Sequence, residues 1–421
     1  MDNFLQLSVH QLVDFLLRTG DIDSRIFNSS SMQEGTRLHA AYQSKQKNNY
    51  LSEYPLSFRT AIDEVQLEII GRADGIIVNN NTDYTIDEIK TTVVDLQQYR
   101  DQNFEWHIGQ AKCYAFMFAE ERNLSKINVK LTYIRQDKEK EKLNEEYCFT
   151  YAELKQFFFT LLDDYLNFYK IILRKNEERD DTIRKINFPF KDFRSGQRKL
   201  AKYCYGIAKN GGRLFCEAPT GIGKTISTLF PFIKAMSEDG KSKIFYLTAK
   251  TSGRESAMNA VAILKSQGLV ANNIEITAKD KICFKESRTC NPDECLYAKG
   301  YYSKIKSIIN YSLLKYRDFD YDTIVEIAKD YNVCPFELQL DLSLYLDVII
   351  CDYNHLFDPV SYMKRFFDED SSSYNALIDE AHNLVDRSRS MYSETISEYD
   401  FKLVKEAYRH SSYKKIKYQL S

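Results

Sequence analysis

The stretch that most constrains the fold of this 421-residue chain is FCEAPTGIGKTIST, residues 215–228. An apolar segment runs into a short loop of small residues, and a helix-forming segment follows. In this context, backbone N–H groups and a helix N-terminus can surround phosphate oxygens. Lys224 is expected to reach the β- and γ-phosphates of a nucleotide, and Thr225 to offer its hydroxyl to Mg²⁺. The predicted phosphate-binding loop consists of Ala218, Pro219, Thr220, Gly221, Ile222, Gly223, Lys224 and Thr225.

A second motif, NALIDEAHN at residues 375–383, supports this prediction. It is an apolar strand that ends in adjacent carboxylates, and by itself it is more typical of a solvated strand end. Together with the phosphate loop it favours an ATPase. In that interpretation Asp379 holds Mg²⁺ and Glu380 polarises the attacking water. His382 is predicted to couple the nucleotide site to a motor.

The composition is that of a soluble globular protein with two or three domains, because 43% of the residues are apolar and 28% are charged. The formal charge of −2 excludes a uniformly basic surface, so any nucleic-acid contact must come from local patches. The N-terminus lacks a signal-peptide pattern, and no apolar run approaches the roughly 20 residues of a membrane helix. We therefore expect a cytoplasmic protein without membrane contact.

Hydrophobic periodicity in the first half of the chain predicts a mixture of helices and strands. Helical periodicity covers residues 4–19 and 31–45, and alternating segments predict two strand pairs around the turns NNNTD and DKEKEKLN. An amphipathic helix is predicted in FEWHIGQAKCYAFMFAEERN between these pairs. A long helix is predicted at about 151–175, after the second pair.

The charge run RKNEERDDTIRK, residues 174–185, predicts a domain boundary. We therefore expect one domain at 1–185 and a second at 186–421. In the second, the apolar strands RLFCEA, KIFYLT, DVIICD and NALIDE alternate with helices. This alternation is typical of a parallel sheet covered on both faces, so both domains are predicted to be α/β.

Nine cysteines in a chain without an export signal indicate reduced thiols or metal ligands rather than disulfides. Four of them lie in polar surroundings between the second and third predicted strands of the second domain. Three closely spaced thiols and a distant fourth suit a tetrahedral metal or an iron–sulfur cluster, and the spacing alone does not separate Zn²⁺ from [4Fe–4S]. The four candidate ligands are Cys283, Cys290, Cys295 and Cys334.

The segments GRADGII and TIDEIKTT place Asp74 on one predicted strand and Glu88 and Lys90 on the next. Side chains alternate along a strand, so Glu88 and Lys90 share a face that Asp74 can join across the hairpin. Two carboxylates can fix Mg²⁺, while a lysine orients a water and neutralises a scissile phosphate. A hairpin with solvent-facing charges would look identical.

Four motifs of the second half resemble the first motor domain of the XPD/DinG helicases of superfamily 2. They are EAPTGIGKT, LTAKTSGRE, VIICDYNHLFDP and LIDEAHNL, in that order. The resemblance implies a RecA-like motor fold, ATP as cofactor and DNA as partner. It also implies that Lys250 and Thr251 touch the DNA backbone and that Gln197 lies near the adenine. Because this family carries an iron–sulfur domain between motor strands, the resemblance favours [4Fe–4S] over Zn²⁺ in a mostly helical insert at 279–338.

The first half resembles the RecB-like branch of the PD-(D/E)xK nucleases, which includes the CRISPR-associated exonucleases. The resemblance lies in the order His, Asp, Glu-x-Lys and Gln-x-x-x-Tyr. It implies that the ligands of Mg²⁺ or Mn²⁺ are His39, Asp74 and Glu88. It also implies that Lys90 assists the attack and that Gln110 and Tyr114 line the DNA path. Cleavage of single-stranded or flap DNA is the expected activity. Only Cys113 and Cys148 are present there, so no cluster is expected in this domain.

Motifs of a second motor domain are not visible after LIDEAHNL. We expect residues 390–421 to begin an arch-like insertion and a second motor half to be missing or separately encoded. The chain alone would then bind ATP weakly and unwind little DNA. Two interpretations stay open: a DNA helicase fused to a nuclease, acting in DNA repair or processing, and a truncated DNA-binding nuclease that binds ATP without helicase activity. The intact candidate residues argue against a third, a non-catalytic scaffold.

Overall fold

The computed structural model describes residues 3–24, 29–46, 49–80, 82–138, 140–219, 221–239, 243–287, 289–367 and 374–409. Thr220 of the predicted phosphate loop and residues 410–421 of the predicted arch-like insertion lie outside these ranges. In the described part of the chain, no helix is long and apolar enough to span a bilayer.

The first half forms a six-stranded mixed sheet with helices packed on it. The strand order is β1-β3-β4-β5-β6, and β2 pairs with β3 as well. The elements are β1 (Asn3–Ser8), α1 (Val9–Leu17), α2 (Ser29–Gln43), β2 (Tyr50–Ile62), β3 (Val65–Asn80), β4 (Asp83–Thr92), α3 (Leu96–Arg122), β5 (Lys126–Arg135), β6 (Lys142–Thr150) and α4 (Tyr151–Lys185).

Both predicted strand pairs are confirmed, since β3–β4 and β5–β6 are antiparallel neighbours. The helix predicted at 4–19 is wrong in its first part. Residues 3–8 form β1 instead, and the helix begins at Val9 with Ser8 as its cap. The side chains of Phe4, Leu5, Gln6 and Leu7 alternate between the two faces of a strand. The strand β1 pairs in parallel with β3, and no local sequence pattern predicts this pairing.

The strand β3 creates a fork in this sheet. Its pairing with β2 occupies one edge along most of its length. On its other edge β1 pairs as far as Ile70, and β4 pairs only from Gly75 onward. Residues 71–74 therefore lie where β1 and β4 separate. A Cβ atom on Gly71 would come within 2.6 Å of the Tyr114 ring, so this position requires glycine for α3 to reach the fork.

The second half contains a five-stranded sheet in the order β11-β7-β10-β8-β9, in which every pairing is parallel. The described elements are α5 (Gln197–Asn210), α6 (Lys224–Asp239), β7 (Lys243–Leu247), α7 (Thr251–Ser266), β8 (Asn273–Glu275), α8 (Lys279–Ile282), α9 (Tyr301–Lys315), β9 (Asp318–Phe319), α10 (Tyr321–Tyr331), α11 (Pro335–Ser343), β10 (Val348–Cys351), α12 (Asn354–Phe357), β11 (Tyr374–Ile378), α13 (Leu384–Met391) and α14 (Glu398–Ala407). The predicted insert is mostly helical, with α8 to α11 between β8 and β10.

One of the four predicted strands of this sheet does not form. Residues 211–219, which include RLFCEA, have no regular secondary structure, and Phe215 is 91% exposed. A strand is stable only when its backbone groups find a partner. The strand β11 is the first in the order of the described sheet and so lies at one of its edges. Its outer edge is not paired with this segment.

The charge run predicted as a boundary belongs to the long helix α4, which continues through it to Lys185. Its side chains are partly buried against the second half. The Arg179 guanidinium and the Asp347 carboxylate form an ion pair at 2.6 Å, and each side chain is about 5% exposed. Lys234 of α6 also donates to the carbonyl oxygens of Arg184 and Ile186 at the end of α4. The helix thus packs on both halves, and the domain limits at residue 185 stay a prediction.

Candidate functional site

Three of the predicted nuclease residues meet at the fork in the first sheet. The register places Asp74 across from Glu88, one position beyond the last β3–β4 pair, Gly75 with Asp87. The Asp74 Oδ2 atom accepts a hydrogen bond of 2.8 Å from the backbone N–H of Ile89. The Asp74 carboxylate therefore accepts the hydrogen bond that a backbone carbonyl of β3 would accept if the two strands were still paired at this point.

A chain of hydrogen bonds extends from this fork to α3. The Lys90 ammonium lies 2.8 Å from Glu88 Oε1 and donates to Gln110 Oε1, also at 2.8 Å. The Gln110 amide in turn donates to the Tyr114 hydroxyl at 3.3 Å. Gln110 and Tyr114 are four residues apart and so share the helix face that packs on the fork. The predicted pair thus lies beside the predicted carboxylates.

The His39 side chain of α2 approaches the same cluster. Its Nδ1 atom lies 3.9 Å from Asp74 Oδ1. Burial lowers the pKa of His39, and this effect outweighs the opposite effect of the Asp74 carboxylate. The imidazole is therefore neutral near pH 7, which is the form that coordinates a metal.

Burial makes the cluster electrostatically unusual. Glu88 is 1% exposed, its Oε2 atom has no hydrogen-bond partner, and burial raises its pKa to about 8. Burial also raises the pKa of Asp74. Burial alone would lower the pKa of Lys90, but the Glu88 and Asp74 carboxylates raise it. A buried carboxylate oxygen without a partner is costly, and a divalent cation would satisfy it. The chemistry of these donors, two carboxylates and a neutral imidazole, therefore suits Mg²⁺ or Mn²⁺.

This geometry is not that of a closed metal site. Among the described residues, no three or more His, Cys, Asp or Glu side chains are arranged closely enough to hold a metal ion. The statement applies both to the fork and to the four cysteines. Metal ligation by His39, Asp74 and Glu88 therefore stays a prediction.

The described residues of the phosphate loop lie beside the carboxylates of the DEAH motif. Gly221 and Gly223 have φ angles of 83° and 80°, which only glycine adopts without strain. The Lys224 ammonium lies 3.2 Å from Glu380 Oε1 and 3.4 Å from the carbonyl oxygen of Ala218. Glu380 itself has φ of 50° and ψ of 47°, a left-handed conformation that is uncommon for glutamate. The two motifs, about 155 residues apart, thus form one site.

The two predicted Mg²⁺ ligands of this site, Thr225 and Asp379, both lie near the side chain of Tyr246. The Tyr246 hydroxyl donates to Thr225 Oγ1 at 3.5 Å. Burial raises the pKa of Tyr246, and the charge of the nearby Asp379 carboxylate adds to this increase. The Thr225 hydroxyl also contacts Ser256 Oγ at 3.0 Å. Tyr246 and Ser256 were not predicted. Tyr246 is a hydroxyl-bearing residue in an apolar strand, and Ser256 is one in a helix. Neither pattern distinguishes a site residue from other tyrosines and serines.

Gln197 lies against the phosphate loop and is buried, with 3% of its surface exposed. Its Oε1 atom accepts a hydrogen bond of 2.8 Å from the backbone of Arg194. A Cβ atom on Gly223 would lie 2.5 Å from Gln197 Nε2, so the glutamine and the glycine fix each other's positions. Arg194 also donates to the carbonyl oxygen of Gly221. The location suits the predicted role beside a nucleotide, which is not tested.

The remaining predicted motor residues are exposed at the edge of the second sheet. Lys250 caps the N-terminus of α7 and Thr251 is its first residue. His382 is 73% exposed, and its Nδ1 atom lies 3.6 Å from Glu380 Oε2. The roles predicted for these three residues require DNA or a second motor domain and stay predictions.

The four cysteines lie beside or between short helices of the insert. Cys283 follows the last residue of α8 and Cys334 precedes the first residue of α11, while Cys290 and Cys295 lie between α8 and α9. Burial raises the pKa of Cys334 to about 12, and the charge of the Cys290 thiolate adds to this increase. Among the described residues, no three of these thiols are close enough together to hold a metal ion.

The insert is held against the first half by backbone hydrogen bonds. The N–H of Ser24 donates to the Cys290 carbonyl oxygen at 2.7 Å, and the N–H of Tyr302 donates to the Gly20 carbonyl oxygen at 3.0 Å. The Arg18 guanidinium stacks on the Tyr302 ring, 3.7 Å from its centre. The insert therefore packs against residues 18–24, which follow α1.

Comparison with known sequences gives a family match in the second half. Residues 261–401 match the family named DEAD_2. This range includes the insert from α8 to α11, β10, β11 and the DEAH motif. It covers about one third of the chain and lies after the phosphate loop.

Three relatives illustrate the sequence similarity. A Fanconi anemia group J protein homolog of Gallus gallus is 25% identical over 28% of this chain and 10% of that protein. A regulator of telomere elongation helicase 1 homolog of Caenorhabditis elegans is 22% identical over 47% and 24%. A probable ATP-dependent helicase of Methanocaldococcus jannaschii is 23% identical over 49% and 31%. The matched regions thus span about a tenth to a third of these curated relatives.

Among solved structures, one titled XPD helicase is 20% identical, with a TM-score of 0.36 over 55% of this chain and 39% of that chain. One titled truncated XPD is 19% identical, with a TM-score of 0.36 over 53% and 62%. TM-scores below 0.5 do not show a common overall fold. The sequence matches carry the relationship: residues 261–401 match DEAD_2, and two of the three relatives are named helicases.

Proposed function

We propose that this chain is a DNA-processing enzyme that joins a metal-dependent nuclease site to an ATP-binding motor domain of the XPD type. The observation that carries the nuclease proposal is the meeting of Asp74, Glu88 and Lys90 at the fork, where one oxygen of the buried Glu88 has no partner. Structural ion pairs seldom leave a buried carboxylate oxygen unsatisfied.

Each residue of the fork has a chemical role in this proposal. Asp74 and Glu88, with His39, would hold Mg²⁺ or Mn²⁺, which lowers the pKa of a bound water and stabilises charge on a phosphate. Lys90 would orient the attacking water and neutralise the scissile phosphate. Gln110 accepts a hydrogen bond from the Lys90 ammonium and donates one to the Tyr114 hydroxyl. Single-stranded or flap DNA is the proposed substrate.

The experiment is cleavage of end-labelled single-stranded and flap DNA by the full chain in Mg²⁺ or Mn²⁺. Asp74→Asn and Lys90→Ala should each lower the rate by about 10²- to 10³-fold, because each removes charge placed for the transition state. Asp83→Asn is the matched control. It neutralises a carboxylate on the same strand, β4, five residues from Glu88 and about 17 Å along the strand. Equal cleavage by wild type, Asp74→Asn and Lys90→Ala would end the nuclease proposal.

The proposed motor function rests on the nearness of Lys224, Glu380, Thr225 and Asp379 and on the DEAD_2 match. Lys224 would leave Glu380 to bind the β- and γ-phosphates of ATP, and Glu380 would then be free to orient water. DNA is the proposed partner of this site, with Lys250 and Thr251 at its backbone. A second motor half supplied from elsewhere would complete turnover.

We further propose an iron–sulfur cluster in the insert, held by Cys283, Cys290, Cys295 and Cys334. The effect of the Cys290 thiolate on the pKa of Cys334 and the position of the insert between β8 and β10 support it. Protein purified without oxygen should be brown and should contain about four irons per chain. A colourless protein that contains zinc would contradict this assignment.

A further inference from the structure

The carboxylate next to Glu88 belongs to a separate buried network. Asp87 is fully buried and points to the opposite face of β4 from Glu88. Its Oδ1 atom accepts a hydrogen bond of 2.6 Å from Thr132, and its Oδ2 atom accepts bonds from the Tyr42 and Tyr50 hydroxyls at 3.1 and 3.2 Å. The Lys130 ammonium lies 3.7 Å away. The cleavage chemistry proposed above uses none of these groups.

Tyr42 connects this network to the helix that carries His39. The two residues are three positions apart on α2, so they lie on the same side of it. The Tyr42 hydroxyl donates to Asp87 and accepts a bond of 3.0 Å from Lys130. Its ring packs with Ile89 and Ile134 of the sheet.

Two side chains of α2 are buried among the residues with described burial, 33–43, and they are Leu38 and Tyr42. Next to Tyr42, Gln43 Nε2 donates to the Asp74 carbonyl oxygen and to Glu53 Oε1, each at 2.8 Å. The Tyr42 hydroxyl is therefore one of the groups that fix this end of α2, one turn from His39.

We infer that Asp87 and Tyr42 are positioning residues that set α2 so that His39 faces Asp74. The inference rests on the proposed nuclease function. Asp87 adjoins Glu88 in sequence, so β4 fixes two ligands of the proposed site at once: Glu88 directly on one face, and His39 indirectly through Asp87 and Tyr42 on the other.

Tyr50 provides a matched control for this inference. Its hydroxyl donates to the same Asp87 oxygen as Tyr42, at nearly the same distance, but Tyr50 lies on β2 rather than on α2. Removing either hydroxyl takes one donor from Asp87. Only the change at Tyr42 also releases the helix that bears His39.

The experiment measures Mn²⁺ binding to the full chain, without DNA, by electron paramagnetic resonance. The bound ion should show coupling to a histidine nitrogen in wild type that is absent in His39→Ala. Tyr42→Phe should lose most of this coupling and weaken Mn²⁺ binding by about 10- to 100-fold, the usual effect of removing a group that orients a ligand. Tyr50→Phe should keep both. The double variant His39→Ala/Tyr42→Phe should bind no more weakly than His39→Ala alone.

Each other result overturns the inference and can be told apart. If Tyr42→Phe keeps the nitrogen coupling and the affinity, His39 is placed by other contacts, while the nuclease proposal stands. If Tyr42→Phe and Tyr50→Phe lose both properties equally, the network supports the sheet in general and does not position α2. If wild type and His39→Ala bind Mn²⁺ identically, His39 is not a ligand, and both this inference and that part of the proposed site fail.

Discussion

The two candidate sites differ in how their residues are held. At the fork, Asp74, Glu88 and Lys90 lie on paired strands, and Glu88 is 1% exposed. At the phosphate loop, the segment that leads into the site is unpaired and Phe215 is 91% exposed. The first site is positioned by backbone register, and the second by side-chain contacts such as Lys224 with Glu380.

The difference follows from the distance along the chain between pairing partners. The hairpin β3–β4 closes with a short turn, so its register is local. A parallel strand has no such turn, and its partner is reached only after long crossovers have packed. Residues 213–218 and β11 are separated by about 160 residues. Substitutions in the two halves should therefore differ in their effects on stability and binding.

The largest effect should come from the buried pair that ties α4 to the second half. Arg179→Met leaves the Asp347 carboxylate buried without its partner and should lower the free energy of unfolding by about 3–5 kcal/mol. Urea unfolding followed by circular dichroism measures this. Arg184→Met is the control, because its partner Asp181 is exposed on the same helix. A similar small loss in both variants would mean that α4 does not anchor the second half.

The next effect concerns the phosphate loop. Lys224→Ala should weaken binding of a fluorescent ATP analogue by about 1.5–3 kcal/mol, or roughly 10- to 100-fold, because a hydrogen-bonded charge is lost. Lys202→Ala, an exposed lysine on α5, should bind as wild type does. An unchanged affinity in Lys224→Ala would show that side-chain contacts around the loop do not make a nucleotide site.

A smaller effect should appear as a pH dependence of stability. Burial, together with the charge of Arg317, lowers the pKa of Lys175 from 10.5 to about 8. The folded state therefore binds this proton less tightly than the unfolded state does. The corresponding stability is present above pH 10.5 and is lost as the pH falls through 8.

The test of this pH dependence is the variant Lys175→Met, which removes the titrating group and keeps the length of the side chain. At pH 7 the variant should be about 1 kcal/mol more stable than wild type, since a desolvated charge is gone. Its stability should also vary less between pH 8 and 10.5, as measured by urea unfolding at each pH. A variant with the same pH profile as wild type would contradict the assignment to Lys175.

The smallest effect is expected at the exposed segment itself. Phe215→Ser should change the free energy of unfolding by less than about 0.5 kcal/mol, since an exposed side chain away from contacts contributes little. Thermal unfolding without nucleotide measures it. A loss of several times that size would show that residues 213–218 pair with the sheet, and the contrast between the two sites would then disappear.

The local features of this protein follow from its sequence. Alternating apolar residues gave the two antiparallel pairs, and the fixed alternation of side chains along β4 put Glu88 and Lys90 on one face. The loop of small residues that contains Gly221 and Gly223 was also predicted, and the φ angles of 83° and 80° are ones that glycine adopts without strain. These features depend on neighbours within a few residues.

Contacts between residues that are far apart in the sequence depend on the tertiary structure. The apolar start of the chain forms β1 because β3 offers it a parallel partner. The charge run at 174–185 continues α4, with Arg179 and Lys175 buried because Asp347 and Asn272 accept their hydrogen bonds. RLFCEA has the composition of a strand and stays unpaired. Burial, the partner of a strand and the position of His39 over Asp74 are set by long-range packing, and no local pattern encodes them.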